Sequence, residues 1–165
     1  LLETFSGARV YVLDSAANQI YRFTPAAGSY EGQPEPYLAS DVRPDLSSAR
    51  DMAIDGQIWV QFRDGVGRYE VGRPVAFEPR GLDEGFKDPT AIFTEPEPME
   101  HVYVADPGNG RLVQFKKDGQ FVRQYRPAEG GQFGELRDIH VNEGSGKVYF
   151  IAGISLYAAD LPSGD

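Results

Sequence analysis

Short apolar runs alternate with polar stretches rich in Gly, Pro, Asp and Asn, and no segment sustains the apolar spacing of a helix. Four of the runs align: VYVLD (10–14), IWVQF (58–62), VYVAD (102–106) and VYFIA (148–152). Their aromatic second residues, Tyr11, Trp59, Tyr103 and Tyr149, lie 48, 44 and 46 residues apart. Each run is followed by a turn and a second run: QIYRF (19–23), VGRYEV (66–71), RLVQF (111–115) and SLYAADL (155–161). The first three repeats add a third run, EPYLA (35–39), PVAFE (74–78) and QFVRQY (120–125). The last three are preceded by another, RDMAID (50–55), TAIFTE (90–95) and RDIHVN (137–142), with LLETF (1–5) as a degenerate counterpart in the first.

Runs such as VYVL and VYFIA are apolar at successive positions, which predicts strands buried on both faces. A unit of four such strands, repeated about every 46 residues, cannot bury both faces alone and must stack on its neighbours. The expected fold is therefore all-β: four-stranded antiparallel sheets arranged as the blades of a β-propeller. The blades fall at about 1–40, 49–78, 89–126 and 136–165, roughly 3.6 repeats forming a single region over 1–165.

Composition agrees. With 19 Gly, 12 Pro and 12% aromatic residues, the chain favours short strands joined by turns. The formal charge of -9 argues against nucleic acid as partner, because affinity for a phosphate backbone comes from Lys and Arg. There is no cysteine, which excludes disulfides, thiolate metal sites and thiol nucleophiles. No run approaches the ~18 apolar residues of a membrane span. The chain opens on Leu1, Leu2 and Glu3 rather than Met, so the expectation is a piece of a longer polypeptide. The compartment stays open, an extracytoplasmic one being favoured.

The register makes ADPGNGR (105–111) the bend between the second and third strands of the third repeat. Asn109 and Gly110 suit left-handed or tight-turn conformations. Asp106 is expected to accept hydrogen bonds from the turn amides or to pair with Arg111. A ligand-binding loop is the alternative reading.

VYVADPGNGRLVQFKKDGQFVRQY (102–125) resembles an NHL repeat: an apolar strand, Asp, Asn, Arg, an apolar strand and an Asp-Gly turn. PTAIFTE (89–95) and LRDIHVN (136–142) are similar to that family's innermost strand, with Asp55, Glu95 and Asn142 at its usual Asp position. The match is partial elsewhere: Gln19 stands where Arg111 does, and Phe62 and Ala152 replace the Asp. More loosely, MAIDGQIWV, VADPGNGRLVQF and LYAADLP resemble propeller regions appended to bacterial signalling proteins. NHL propellers usually have six blades, so the resemblance implies a fragment of a six-bladed ring. A closed four-bladed ring and an open array completed by a second copy remain alternatives. An open ring would favour self-association through blade one (10–23) or blade four (147–161).

Candidate chemistry gathers in the loops between repeats. The pair Arg50-Asp51 recurs in register as Arg137-Asp138, at the entrance to the innermost strand, while Thr90-Ala91 breaks it. Around a channel mouth such pairs would hold a polar ligand; otherwise they form a salt-bridge rim between blades. His140 lies in the innermost strand of the fourth repeat, equivalent to Ala53 and Phe93, which predicts a partly buried packing residue or one facing the channel. The candidate ligand-binding set is thus Arg50, Asp51, Arg137, Asp138 and His140. No catalytic residue, metal site or cofactor is assigned: neither histidine has zinc-site spacing, and no nucleophile elbow occurs. The function expected is a non-enzymatic binding or sensor module of a larger, bacterial protein, with a protein, peptide or small polar ligand as partner. The alternative is a lactonase-like propeller hydrolase, whose resemblance implies a channel calcium held near Asp55, Glu95 and Asn142.

Overall fold

The computed structural model describes residues 2–5, 9–26, 29–128 and 133–162, with backbone alone for 2–5. Leu1 and Glu129, which fall within the expected first strand and last inter-blade loop, lie outside them. Four antiparallel sheets succeed one another along the chain. Blade one is β1 (Leu2–Phe5), β2 (Arg9–Asp14), β3 (Gln19–Phe23) and β4 (Glu35–Pro36). Blade two is β5 (Ala49–Ile54), β6 (Ile58–Phe62), β7 (Val66–Glu70) and β8 (Arg73–Val75). Blade three is β9 (Ala91–Phe93), β10 (His101–Asp106), β11 (Arg111–Lys116) and β12 (Phe121–Tyr125). Blade four has three strands, β13 (Leu136–Asn142), β14 (Lys147–Ala152) and β15 (Ser155–Asp160). The meander order within each sheet is the simplest that short turns allow.

The third run of blade one is shorter than its sequence suggests. Pro36 has no N–H to continue a ladder, and Tyr37 donates its own to Ile20 O at 2.7 Å before the chain leaves the sheet.

Successive sheets pack face to face, and three of the four aligned aromatic residues, Tyr11, Trp59 and Tyr103, point towards the next blade. Tyr11, Leu13 and Ile20 meet Met52, Ile54, Ile58 and Val60. Ala53 and Trp59 meet Ile92, Val102 and Val104. Tyr103, Ala105 and Leu112 meet Ile139, Val141, Val148 and Phe150. Each such fully buried side chain contributes roughly 1.5–3 kcal/mol. Tyr11, Trp59 and Tyr103 are 6%, 0% and 1% exposed, yet Tyr149 is 41% exposed. The expectation that VYFIA is buried on both faces therefore fails. In β14, Val148, Phe150 and Ala152 face blade three, and Tyr149 and Ile151 face outward, where no sheet covers them among the described residues.

Candidate functional site

Two places concentrate polar chemistry. One is the bend between β10 and β11. It closes through a 3-10 turn at Pro107–Asn109, and Gly110 alone takes the left-handed conformation, at φ 60°. Both side chains of the pair Asp106–Arg111 are buried. Arg111 Nε donates to Asp106 Oδ2 at 2.7 Å, and Arg111 Nη2 donates to the carbonyls of Glu84 and Gly85 at 2.6 and 2.9 Å. Arg111 Nη1 donates to Gln124 Oε1 at 3.0 Å. Asp106 Oδ1 accepts the Lys87 N–H at 2.8 Å, and its Oδ2 also accepts the Asn109 amide at 2.9 Å. The backbone amide that Asp106 binds thus belongs to the loop arriving from blade two, not to the turn itself. Each nitrogen of the guanidinium and each oxygen of the carboxylate has a hydrogen-bond partner, which is what lets a charged pair exist without water.

The second place is the centre, where the innermost strands β5, β9 and β13 adjoin. A hollow of about 310 Å³ opens there, lined among others by Asp51, Phe93, Asp138 and His140. Asp51 is buried; its Oδ1 accepts the Met52 N–H at 2.8 Å and its Oδ2 the Ile92 N–H of blade three at 2.7 Å. Burial pushes the Asp51 carboxyl up to about 6, and the Asp138 charge adds to this while the two N–H groups resist it. Asp138 Oδ1 accepts the Ile139 N–H at 2.8 Å. His140 is exposed rather than partly buried, lines the hollow, and is covered by no further sheet among the described residues. Its ring stands edge-on to Phe93 at 4.7 Å and near Tyr149 at 6.2 Å.

The structure thus brings Asp51, Asp138 and His140 together and turns the arginines elsewhere. Arg50 reaches across the junction to Asp88 Oδ1 at 2.6 Å and Pro89 O at 3.2 Å, holding the Asp88 carboxyl below its usual range. Arg137 is exposed and has no ion pair or hydrogen bond among the described residues.

A third network was not legible in the sequence. His101 Nδ1 lies 2.7 Å from Glu143 Oε1, which also accepts the Tyr103 hydroxyl at 2.7 Å. Gln114 Nε2 donates to Tyr103 Oη, and Tyr125 donates to Gln114 Oε1. Burial, reinforced by Glu143, pushes the Tyr103 phenol up, so the group is a donor and not a phenolate. Of the residues of the hydrolase alternative, Asp55 and Asn142 are engaged elsewhere, while Glu95 lines the hollow. Asp55 pairs with Lys117 at 2.8 Å, and Asn142 Oδ1 accepts the Ser145 N–H at 2.9 Å. Among the described residues, no three His, Asp or Glu side chains gather as a metal site.

Antiparallel sheets stacked face to face, with their first strands adjoining at the centre, define a partial β-propeller. No family profile and no curated protein sequence matches the chain. Among solved structures it is similar to a chain of a nidogen/laminin complex, at TM-score 0.63 and 13% identity over 87% of this chain and 55% of that one. It is also similar to virginiamycin B lyase from Staphylococcus aureus, at TM-score 0.60 and 17% identity over 98% and 55%. A gluconolactonase from Xanthomonas campestris aligns at TM-score 0.60 and 14% identity over 98% and 56%. The chain spans about half the length of these proteins, and the fold is shared by binding proteins and enzymes alike.

Proposed function

We propose that the chain is a non-enzymatic, NHL-like binding or sensor module of a larger bacterial protein, and that it contributes part of a six-bladed ring. One observation carries the binding role: Asp51 of blade two and Asp138 and His140 of blade four meet at a single central hollow walled by Phe93 of blade three. Carboxylate acceptors, an imidazole and an aromatic edge suit a small polar ligand with hydrogen-bond donors, or such a group on a peptide or protein. Arg50 and Arg137 stand at the entrance to the same strands and complete the proposed set. The test tracks the His140 ring signals by NMR while a library of amines, amino acids and Lys- or Arg-containing peptides is added. Saturable shifts that vanish in Asp138→Asn support the reading. Ring signals that stay still throughout, or shifts that persist unchanged in Asp138→Asn, defeat it.

A further inference from the structure

Where the innermost strands begin, the blades are joined through the main chain: Arg50 donates to the carbonyl of Pro89, and Thr90 Oγ1 to that of Leu136 at 2.8 Å. At the far end of the same strands, side chains meet at the junctions, and each junction is filled differently. The strand registers set each aligned aromatic residue opposite one partner on the third strand: Tyr11 opposite Arg22, Trp59 opposite Arg68 and Tyr103 opposite Gln114. Between blades one and two, Arg22 is neutralised by Glu35 at 2.6 Å, and the ring of Tyr37 stands edge-on to Tyr11. Between blades three and four, Gln114 is uncharged and is matched by Tyr103 and Tyr125.

Between blades two and three the junction stays open. A groove of about 1020 Å³ lies there, and both of its walls come from blades that have a neighbour on each side. At its base the Arg68 guanidinium packs over the Trp59 ring, 5.1 Å from the ring centre. Arg68 Nη1 donates to Lys117 O at 2.9 Å. Its Nε is buried without a partner, and among the described residues Nη2 makes no hydrogen bond and no carboxylate pairs with the group. Lys117 is already committed: its ammonium meets Asp55 Oδ2 and Glu95 O, both at 2.8 Å, and Asp55 Oδ1 accepts the Trp59 indole N–H at 2.9 Å. Glu70, Glu97 and Glu100 also line the groove, all exposed, and their carboxylates make no ion pair or hydrogen bond among the described residues.

With Asp55 and Lys117 neutralising each other, the groove presents one unpaired guanidinium and three unpaired carboxylates. A lone anion there would be repelled by the carboxylates, and a lone cation by the guanidinium; a molecule carrying both charges matches both. The ring beneath Arg68 holds the guanidinium in place while leaving Nη2 its donors. We infer that this groove binds a zwitterion, an amino acid or a short peptide with free ends, whose carboxylate takes Arg68 and whose ammonium lies among Glu70, Glu97 and Glu100. The site shares no lining residue with the central hollow.

Trp59 is the sole tryptophan of the chain, so its emission reports on this groove. Emission and heat of binding are read while glycine, 6-aminohexanoate, triglycine, hexanoate and hexylamine are added in turn. At least one of the three zwitterions should bind saturably, change the Trp59 emission, and bind at least tenfold more tightly than hexanoate or hexylamine. Binding of triglycine alone would make the ligand a peptide, and binding of glycine or 6-aminohexanoate a free amino acid. Arg68→Gln should weaken the zwitterion at least tenfold, as should Glu97→Gln combined with Glu100→Gln. Both glutamates are exposed, so the double variant decides the case should Arg68→Gln not fold. The inference is overturned if no zwitterion binds saturably, or if hexanoate or hexylamine binds as tightly. Zwitterion binding left unchanged in either folded variant overturns it too. Asp138→Asn should leave the Trp59 response intact, so this site and the central hollow can fail separately.

Discussion

The bends after Asp14 and Asp106 occupy the same place in their blades, with Asn18 and Gly110 as the left-handed residues at φ 52° and 60°. They are stitched in opposite directions. In blade three the bend grips the loop that arrives from blade two, through Lys87 N, Glu84 O and Gly85 O. In blade one it grips the segment that leads on to blade two: Asn18 Oδ1 accepts the Leu46 N–H at 2.7 Å, and Gln19 Oε1 accepts that of Leu38 at 3.3 Å. Asp14 only closes its own turn, accepting the Ala17 N–H at 2.9 Å. The closeness of packing differs too. A Cβ on Gly108 would collide with Lys87 O, whereas the equivalent residue of blade one is Ala16. A shared strand register thus fixes where a bend lies but not which neighbour it binds.

That contrast is most sharply broken by Arg111→Ala. It leaves Asp106 buried and uncompensated, and the expected loss of stability is about 3–5 kcal/mol by urea denaturation. Gln19→Ala, at the same position in blade one, should cost about 1 kcal/mol. Equal losses would show that the buried pair is no more than a turn contact.

The central junction adds a pH-dependent version of the same cross-blade grip. With its carboxyl pushed up to about 6 against an ordinary 3.8, native Asp51 binds its proton more tightly than the unfolded chain does. Its contribution is fully present below pH 3.8 and is lost as the pH rises through 6, by about 2–3 kcal/mol in all. The wild-type stability minus that of Asp51→Asn, measured between pH 4 and 7, should therefore fall with rising pH. A flat difference would place the Asp51 carboxyl at its ordinary value. The smallest effect expected is that of Asn18→Gly. It keeps the left-handed backbone, removes the bond to Leu46 and should cost about 0.5 kcal/mol by urea denaturation.

The repeat was legible because Tyr11, Trp59, Tyr103 and Tyr149 share one place on the second strand, and the first three are buried against the next blade. The bend at 105–111 was legible from its Gly, Asn and Pro. The reach of Asp106 to Lys87 was not, because a residue 19 positions away in an irregular loop leaves no periodic signal. The aspartate at 51 was visible as half of a repeated pair. Its attachment to the Ile92 amide was not, since the absence that creates it, Ala91, is an unremarkable alanine. Glu143 was hidden for a similar reason: only the folded register sets it against His101 and Tyr103.

The grips of Arg50, Thr90 and Asp51 end on carbonyl and N–H groups, which every residue but proline supplies in full. Such a joint asks for a strand in the right place and is indifferent to its side chains. At these joints a blade could be replaced without changing the groups that are gripped, and only the apolar side chains between the sheets would have to be fitted anew.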